Sequence, residues 1–407
     1  MSGLGVLHVI PSLAPSDGGP TVACIELCTA LAARGHDVQV FTTNRRVEAS
    51  LAAPLGRPLE HAGVRYTYFR VHEPRAWVAS RELGRALQET IPRVDLVHVH
   101  SLYLFPTAAA GHVARRCGVP YVVRPHGTLD PFLRRQHRLR TGLYDALVET
   151  RNLRGAARVH FTSETERARA ARIARKARSV VVPLGVRVPN DAEASVGLGD
   201  PEFGDRPIVL FLGRLDFTKG LDVLVPAFAK VVRVLPTAHL LVVGPDDAGY
   251  GRQVRRWVDT NGLRGRVTIG DMLTGSEKWR VLRRANVVVL PSYTETHGMA
   301  AAEAMAVGVP VVVSDRVDVA SDVAAAGAGV VVPVERDAVA RALLSILRRP
   351  AEARQMGAAG QTYASRQLTW ERAAAGVEAM YREVLRERAG RGRPTPVAVG
   401  EDVRLAT

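Results

Sequence analysis

The sequence NVVVLPSYTETHGMAAAEAMAVGVPVVV, residues 286–313, decides the fold. It runs from an apolar segment through a polar loop and a set of small, helix-forming residues into a second apolar segment. This order predicts a strand, a loop that ends at His297, a helix from about Gly298 to Val307 and another strand. Gly308 suits the stop after the helix. A strand, a helix and a strand in succession form the building unit of a parallel sheet.

Each half of the chain opens with a longer copy of this plan. The two segments are VLHVIPSLAPSDGGPTVACIELCTALAARGHDVQVFTT, which begins at Val6, and IVLFLGRLDFTKGLDVLVPAFAKVVRVLPTAHLLVVG, which begins at Ile208. In the first, Pro20 suits a helix start and Gly35 a helix end, so a helix is expected at about 21–34. Further strands are predicted at DLVHVH, YVVRPHG, RVHFTS, SVVVPLG, RVTIG, NVVVLPS and VPVVVSD. Continuous β-branched runs suit parallel strands covered on both faces, so the expected fold is α/β with two doubly wound sheets.

The length of 407 residues allows two domains, each with its own core. We assign residues 1–190 to the first domain and residues 191–367 to the second. The segment between them, 188–207, is rich in Pro, Gly and acidic residues and is expected to be a linker. The last residues, 389–407, are expected to form a disordered tail.

Composition limits the class of protein. No apolar run reaches the roughly 18–20 residues that a membrane span needs, and the N-terminus resembles a first strand more than an export signal, so a cytoplasmic location is expected. Cys24 and Cys28 suit small buried hydrophobes, and the three cysteines predict neither a disulfide framework nor a metal-ligand cluster. The formal charge of +15 indicates an anionic partner, such as a phosphorylated substrate, an acidic lipid or nucleic acid, or else reflects composition alone.

The loops that follow the first strand of each half are candidate phosphate sites. Neither is the G-x-G-x-x-G fingerprint of dinucleotide-binding proteins, which argues against hydride chemistry. In GRLDFTKG, Arg214 and Lys219 place two cations beside a helix N-terminus, where backbone amides and the helix dipole favour an anion. In SDGGP, Gly18 and Gly19 would let a ligand lie against the backbone. Solvated surface charge and an ordinary flexible turn are the alternative interpretations.

Two glutamates, Glu295 and Glu303, stand eight positions apart around the start of the predicted helix. Because a helix rises ~1.5 Å per residue, a long polyhydroxy ligand lying over its N-terminus would meet both carboxylates. Carboxylates accept hydrogen bonds from the hydroxyl pairs of sugars and riboses. The backbone amides of Gly298, Met299 and Ala300 would face a diphosphate, and the small residues there permit close approach.

Taken together, GGP, GRLDFTKG and the Glu, seven residues, Glu pattern followed by AMAVGVPVVVSD resemble the retaining glycosyltransferases of family 4. The resemblance extends over about residues 5–385. It implies the GT-B fold, in which two Rossmann-like domains face each other across a cleft, with a helix at about 368–388 that packs back onto the first domain. YVVRPHGTLDPF and LVETRNLRGAARVHFTSETE are similar to bacterial enzymes that build exopolysaccharide or lipopolysaccharide chains.

The resemblance implies a role for each matching position. Arg214 and Lys219 would bind the donor diphosphate. Glu303 would bind the ribose hydroxyls and Glu295 the hydroxyls of the transferred sugar, while His126 in RPHG falls at the family's active-site histidine. The expected catalytic set is His126, Arg214, Lys219 and Glu295, and the expected donor-binding set is Gly18, Gly19, Arg214, Lys219, Glu295, His297, Gly298, Met299, Ala300 and Glu303.

Two further histidine positions stand out. His297 occupies a place where the family commonly has an aromatic residue, and an imidazole there would donate to a sugar hydroxyl or a phosphate. In HVH, we place His98 and His100 on alternate faces of one strand, so that only one of them looks toward the cleft. We assign His100, which is nearer the loop, to the acceptor side.

The implied reaction is transfer of a hexose, with retention, from a UDP- or GDP-sugar to a saccharide or lipid-linked saccharide in bacterial surface polysaccharide biosynthesis. In the front-face mechanism usually proposed, an oxygen of the donor's phosphate takes the acceptor proton. No D-x-D motif occurs in a matching place, so neither a metal ion nor a cofactor is expected. An epimerase or a sugar phosphorylase is the alternative enzyme, but the Glu, seven residues, Glu block disfavours the first and the short chain the second.

Arginine-rich segments between 132 and 178, RRQHRLR, RNLRGAAR and RARAARIARKAR, suggest a cationic face for anionic lipid headgroups or a lipid-diphosphate acceptor. Such a face would place the chain at the inner side of the plasma membrane. A pair of solvated helices is the equal alternative. A nucleic-acid binder is the non-enzymatic hypothesis that charge alone suggests, but no recognisable nucleic-acid module accompanies the charge, and we do not expect nucleic acid as a partner.

Overall fold

The computed structural model describes residues 3–46, 54–73, 77–134, 144, 148–175, 177–189, 204–246 and 249–390. The predicted tail lies outside these residues apart from the end of the last helix, and so do most of the linker and part of the arginine-rich segments. Within the described residues, no helix combines the length and apolar character that crossing a bilayer needs.

An eight-stranded sheet forms the centre of the first half. Its strands are β1 (Gly5–Ser12), β2 (Asp37–Thr43), β3 (Pro58–His61), β4 (Val64–Phe69), β5 (Leu96–His100), β6 (Tyr121–Arg124), β7 (Arg158–Phe161) and β8 (Ser179–Val181). The order across the sheet is β3-β4-β2-β1-β5-β6-β7-β8. All neighbouring pairs are parallel except β3 and β4.

Six described helices accompany this sheet: α1 (Gly19–Ala33), α2 (Arg81–Thr90), α3 (Phe105–Arg116), α4 (Pro131–Arg134), α5 (Thr150–Gly155) and α6 (Glu164–Ala170). They connect parallel strands, so apolar side chains pack on both faces of the sheet, in two buried clusters. Each connection begins at the carboxyl edge of a strand, and this edge carries the loops of the candidate site.

A six-stranded, all-parallel sheet forms the centre of the second half, with the order β11-β10-β9-β12-β13-β14. Its elements are β9 (Ile208–Leu212), α7 (Leu221–Val234), β10 (His239–Val243), α8 (Gly251–Thr260), β11 (Val267–Gly270), α9 (Gly275–Arg284), β12 (Val287–Leu290), α10 (Met299–Ala306), β13 (Val311–Ser314), α11 (Ala320–Ala326), β14 (Gly329–Val332), α12 (Arg336–Leu347) and α13 (Pro350–Gln367). The order reverses direction between β9 and β12. Open α/β sheets bind ligands in the crevice at such a switch point.

The last helix, α14 (Trp370–Gly390), lies on the first half of the chain. Its apolar face joins the core formed by β1 and α1. Ion pairs flank this contact, because Arg34, which follows α1, reaches Glu378 at 2.6 Å and Arg158 of β7 reaches Glu383 at 2.6 Å. The helix therefore completes one outer layer of the first sheet.

The predicted strands and the first sheet's main helix are confirmed, and both sheets belong to α/β structures as expected, with the antiparallel pair of β3 and β4 as the exception in the first sheet. The helix α1 starts at Gly19 rather than at Thr21. The hairpin of β3 and β4 was not predicted. Its two-residue turn is Ala62 and Gly63, both with positive φ (50° and 75°). Positive φ at both turn residues gives the turn a twist that matches that of the paired strands. Such turns usually contain glycine, asparagine or aspartate at the first position, and alanine there gives no sequence signal for a hairpin.

Candidate active site

The loop from β12 to α10 presents the start of that helix to the crevice between the two sheets. Gly298 caps the helix with φ 85°, in the left-handed region. A Cβ at this position would lie 2.6 Å from Cγ1 of Val317 and 3.1 Å from Cγ1 of Val319. Only glycine therefore fits between the backbone and these valines. Met299 and Ala300 follow as half-buried residues of the first turn.

Lys219 and Glu295, predicted from separate motifs, form a direct ion pair. Lys219 ends a short 3-10 turn, Phe217–Lys219, which Asp216 caps by accepting a hydrogen bond from the amide of Thr218. The next residue, Gly220, has φ 68°, and a Cβ there would overlap the carbonyl oxygen of Pro291. This close packing fixes the lysine loop against the glutamate loop.

Glu303 is buried on α10 and accepts a hydrogen bond from Nζ of Lys278 on α9 at 2.8 Å. Nζ of Lys278 also lies over the Trp279 ring, 4.7 Å from its centroid. The carboxyl of Glu26, on α1, interacts with both Lys278 and Glu303. Burial raises the pKa of Glu26, the charge of Lys278 lowers it, and the charge of Glu303 raises it further. Sequence reasoning missed Lys278, although it is one of only four lysines in the chain.

Arg214 lies in the loop after β9. Among the predicted donor residues that form ion pairs, it has the most exposed side chain. Its guanidinium is 3.6 Å from Asp216, and 47% of its side chain is exposed. The structure thus places Arg214 on the same loop as Lys219 but does not bring it into contact with either glutamate in the described contacts.

The first half supplies the opposite wall of the crevice through its glycine loops. Gly18 has φ 70° and precedes α1. A Cβ at Gly19 would lie 3.8 Å from Cγ of Met299, so the two predicted donor segments face each other. Gly127 has φ 78°, and a Cβ there would overlap Oγ1 of Thr296. Gly127 therefore permits close approach of the two halves, whereas a Cβ at Gly19 would make only an ordinary contact.

Polar side chains join the two halves beside this crevice. Arg169 of α6 forms an ion pair with Asp318, whose carboxylate also accepts from Oγ of Ser163 at 2.6 Å. The carboxylate of Asp130 accepts from Oγ1 of Thr294 at 2.7 Å and pairs with Arg169 at 3.0 Å. Sequence reasoning missed these residues, because no motif links positions so far apart in the chain.

His126 follows β6, is half-buried and has φ 52°. Its Nε2 lies 3.0 Å from Nδ1 of His100. Burial holds the pKa of His126 well below its usual 6.5, and the neighbouring charge of Arg124 and the rings of His100 and His160 lower it further. The imidazole is therefore neutral at neutral pH.

The prediction for His98 and His100 was wrong in its geometry. Residues two apart in a strand share a face, because side chains alternate with a period of two. The two rings accordingly stack, with centroids 4.6 Å apart, and both are fully buried. His100 is therefore not exposed to a ligand itself but lies behind His126, 3.0 Å from its Nε2.

His297 is buried, with 5% of the residue exposed, so it does not form an open surface for a ligand. Burial, together with the charge of Arg124, lowers its pKa to about 4. Its Nε2 makes no hydrogen bond within the described part of the protein. Its carbonyl accepts from the amide of Val319 at 3.0 Å, which ties the loop to the segment before α11.

Two groups of buried side chains in the first half have the mutual spacing of metal ligands: His8, His98 and His100, and His8, Cys24 and Cys28. Within each group the ligand atoms lie within 4.8 Å of one another. The sequence predicted no such cluster, because β1, α1 and β5 are far apart in the chain. Both groups lie in the interior of the first half.

Two family models match the two halves of the chain. The Glycosyl transferase 4-like domain matches residues 18–185, and Glycosyl transferases group 1 matches residues 200–363. Among curated proteins, D-inositol 3-phosphate glycosyltransferase of Segniliparus rotundus is 35% identical over 212 residues, which are 50% of this chain and 46% of that protein. The enzyme of the same name from Thermobifida fusca is 27% identical and covers 94% of this chain and 93% of its own.

Solved structures share the two-sheet arrangement over nearly the whole chain. Sucrose-phosphate synthase from Thermosynechococcus elongatus superposes with a TM-score of 0.72 at 25% identity and covers 94% of this chain and 100% of its own. Anabaena HepE, solved in complex with UDP and glucose, gives a TM-score of 0.75 at 17% identity and covers 93% and 100%. The two family matches together span most of the sequence, and this chain belongs to the family 4 glycosyltransferases with the GT-B fold.

Proposed function

We propose that this chain transfers a hexose, with retention of anomeric configuration, from a UDP- or GDP-sugar to a hydroxyl of an acceptor. The observation that carries the proposal is the Lys219–Glu295 ion pair beside the Gly298-capped start of α10. It joins a cation for a diphosphate and a carboxylate for sugar hydroxyls at one helix N-terminus. HepE, which shares the fold, was solved with UDP and glucose bound.

The positive groups of this site stabilise the negative charge that forms when the bond to the sugar breaks. When the C1–O bond to the diphosphate breaks, negative charge grows on the leaving oxygen, and the first-turn amides of α10 favour that charge. Lys219 and the accessible guanidinium of Arg214 stabilise the departing diphosphate through charge-assisted hydrogen bonds. The acceptor oxygen bonds to C1 on the same face, and its proton passes to a phosphate oxygen of the leaving nucleotide.

The carboxylates orient the two ends of the donor. Glu303 is assigned to the ribose hydroxyls and Glu295 to the hydroxyls of the sugar, since ionised carboxylates only accept hydrogen bonds. Each already holds a lysine, Lys278 and Lys219 respectively. These lysines hold the two carboxylates in position. His126 faces the sugar from the first half. We assign neither a metal ion nor a cofactor to this reaction.

For the acceptor, we propose a saccharide or lipid-linked saccharide of bacterial surface polysaccharide biosynthesis, which the resemblance of the RPHG region supports. Action at the cytoplasmic face of the membrane follows from this acceptor. A second candidate is a phosphorylated polyol, since the sequence relatives carry the name D-inositol 3-phosphate glycosyltransferase. In the first half arginine residues outnumber acidic residues, and this positive charge would attract either kind of anionic acceptor.

The donor is tested by thermal shift with UDP-, GDP- and ADP-sugars in the presence of EDTA, because a ligand that binds the native state raises its melting temperature. We expect one nucleotide class to raise Tm in the native chain and a much smaller shift in Glu303→Gln. No shift with any nucleotide sugar would contradict the donor assignment.

Transfer is then tested with that donor against inositol 3-phosphate, free saccharides and lipid-linked saccharides. Proton NMR of the product reports the anomeric configuration, and we expect the configuration of the donor. An inverted product would contradict the retaining mechanism. Conversion of the nucleotide sugar into its epimer without transfer would support the epimerase instead. Flotation with anionic and neutral vesicles tests membrane contact, and the same binding to both would contradict a charge-dependent face.

A further inference from the structure

Among the described residues, two arginines are buried, Arg124 with 2% and Arg158 with 7% of the residue exposed. The guanidinium of Arg158 pairs with two carboxylates, those of Glu383 and Glu387. Arg124 differs, because its Nε and Nη1 are buried and have no hydrogen-bond partner in the described part of the protein. A buried charge with unmade hydrogen bonds is costly, so this guanidinium requires a partner from outside the chain.

The groups around Arg124 leave these N–H groups unpaired. Burial lowers the pKa of Arg124 to about 10, and the charge of Glu166 opposes this, so the guanidinium is charged at neutral pH. The carboxylate of Glu166 already accepts from the amide of Gly127 at 3.2 Å and from the amide of Thr162 at 2.8 Å. Three further titratable side chains act on the pKa of Arg124, and none accepts from Nε or Nη1: Cys24, Tyr381 and Cys28.

The position of Arg124 brings it to the place where the two halves meet. It is the last residue of β6, at the carboxyl edge of the first sheet. His126 and Gly127 follow, and a Cβ at Gly127 would overlap Oγ1 of Thr296 in the second half. His297 is the next residue after Thr296. The arginine and two imidazoles, one from each half, therefore lie around one contact. We call Arg124, His126 and His297 the arginine cluster.

The two imidazoles add no charge to this cluster. Burial, followed by the charge of Arg124, lowers the pKa of His126 well below 6.5 and that of His297 to about 4. Both rings are therefore neutral at neutral pH. Nε2 of His297 resembles the two nitrogens of Arg124, because it too is buried without a hydrogen-bond partner in the described part of the protein.

The arginine cluster thus lacks both hydrogen-bond partners and a paired negative charge. Water would supply the hydrogen bonds, but it would not balance the charge. A carboxylate supplies both, since it carries one negative charge and accepts several hydrogen bonds. A phosphate monoester has a charge of about −1.5 to −2 at pH 7, which exceeds the single positive charge of the cluster. The cluster therefore fits a carboxylate better than a phosphate.

We propose that Arg124, beside His126 and His297, binds the carboxylate of a hexuronic acid, so that the transferred sugar is a hexose oxidised at C6. The choice of the sugar as the carrier rests on the proposed function, which places the sugar between Glu295 and His126. The anion site itself does not rest on it. Because Arg124 and His297 are almost closed off while the two halves lie close together, the sugar must enter before the halves meet.

The preference for a carboxylate is measured by isothermal titration calorimetry with two matched pairs of nucleotide sugars, UDP-glucose with UDP-glucuronate and GDP-mannose with GDP-mannuronate. UDP and GDP alone report on the nucleotide site without the sugar. For the nucleotide that binds, we expect the uronate to bind roughly 10–100-fold more tightly than its neutral partner, the range for a hydrogen bond to a charged group. Equal or weaker binding of the uronate would overturn the proposal.

Arg124→Met removes the charge and keeps a long, unbranched side chain. The preference for the uronate should disappear, while the Kd of the nucleotide alone should stay the same. Arg158→Met is the matched control, because it removes the other buried arginine of the same sheet, whose guanidinium already has carboxylate partners. This control should keep the full preference. A preference that survives in Arg124→Met would contradict the role of Arg124.

An acceptor phosphate is the other source of an anion. Inositol 3-phosphate is the probe for it, titrated in the presence of the nucleotide that binds. Weaker binding of this probe in Arg124→Met, without any preference for the uronate in the native chain, would overturn the assignment to the sugar.

The ligand-free protein gives a test that does not depend on the donor. Replacing a buried charge that lacks a partner with an apolar group is neutral or stabilising, whereas breaking a buried pair is destabilising. Arg124→Met should therefore have the same Tm as the native chain or a higher one, and Arg158→Met a lower one. A fall in Tm for Arg124→Met as large as that for Arg158→Met would mean that the protein itself satisfies the guanidinium, and would overturn the proposal.

The two proposals fail in different ways. If UDP or GDP binds but the uronate is not preferred, the transferase proposal stands and the arginine cluster loses its assigned ligand. If no nucleotide or nucleotide sugar binds, the proposed function is contradicted, and thermal shift with free glucuronate and free glucose tests the cluster alone. A rise in Tm with glucuronate only, absent in Arg124→Met, would support the anion site, and no rise would overturn it.

Discussion

Two of the four lysines in the chain pair with the two glutamates of the candidate site. Arginine supplies nearly all the other positive charge, so the choice of lysine at Lys219 and Lys278 is notable. An ammonium is a compact charge on a flexible stem, whereas a guanidinium is a planar fork that demands bidentate partners. A lysine can therefore turn from its glutamate toward a phosphate without leaving the site.

Lys219→Ala should lower kcat/KM by ~100-fold or more, because one donor to the leaving diphosphate is lost. The matched control is Lys230→Ala. Lys230 also pairs with a carboxylate, Asp337, but on an exposed surface away from the crevice. We expect no change in kcat/KM for this control, as measured by steady-state kinetics with the donor identified above. Equal losses in both variants would contradict the role of Lys219.

His297 should make the protein less stable in mild acid. Burial and then the charge of Arg124 lower its folded-state pKa to about 4 from the ordinary 6.5, so the unfolded chain binds the proton first. Stability is therefore unaffected above about pH 6.5 and declines as the pH falls toward 4, by at most about 3 kcal/mol. His297→Asn, which tolerates the positive φ, should remove this part of the decline in urea unfolding measured across pH.

The control for that experiment is His61→Gln, since His61 lies exposed on β3. Its pH profile should follow that of the native chain. If His297→Asn also followed the native profile between pH 6.5 and 4, the buried imidazole would not be the source of the acid sensitivity.

At the scale of the element, the helix α10 has a glycine just beyond each of its ends. The predicted helix limits of about Gly298 and Val307 differ by one residue from the observed Met299–Ala306. Gly298 and Gly308 both have positive φ, 85° and 78°. Glycine alone adopts such angles without strain, so the sequence carries a clear local signal at both ends.

Gly298→Ala should destabilise the protein more than Gly327→Ala. Both glycines have positive φ, so each substitution adds the strain of a left-handed alanine, about 1–2 kcal/mol. A Cβ at Gly327 meets nothing within 4 Å, whereas one at Gly298 would lie 2.6 Å from Val317. Overpacking of this kind adds ~1–3 kcal/mol. Urea unfolding of the two variants compares them, and equal losses would mean that the loop moves to relieve the contact.

The part of the site that could be predicted from the sequence consists of residues in short local motifs. Lys219, Glu295 and Gly298 lie in motifs whose spacing survives from sequence to structure. The contacts of Asp130 with Thr294 and of Arg169 with Asp318 do not, because they join residues more than a hundred positions apart that only the packing of two sheets brings together. The hairpin of β3 and β4 was missed because its turn uses alanine where glycine or asparagine is typical.

At the scale of the molecule, the two sheets meet through a small polar contact beside the donor segments. Its centre is Asp318, which pairs with Arg169 and is almost fully buried. A broken pair would leave one charge buried and unpaired, which is strongly unfavourable. The contact therefore favours the arrangement in which the two halves lie close together.

Asp318→Asn should weaken this contact and increase the radius of gyration of the ligand-free protein in small-angle X-ray scattering. Asp315→Asn is the matched control, because Asp315 lies in the same segment but is half exposed beside Arg316. It should leave the scattering curve unchanged. Identical curves for Asp318→Asn and the native chain would show that other contacts hold the halves together.

The position of α14 has a consequence for how the protein is made. Its residues are made long after those of α1 and β1, yet they cover both elements. Until α14 is made, the first half exposes an apolar face that chaperones or aggregation partners can reach. Truncation before Trp370 would therefore leave the core of β1 and α1 uncovered. The second half can fold during translation before the first half has all of its core.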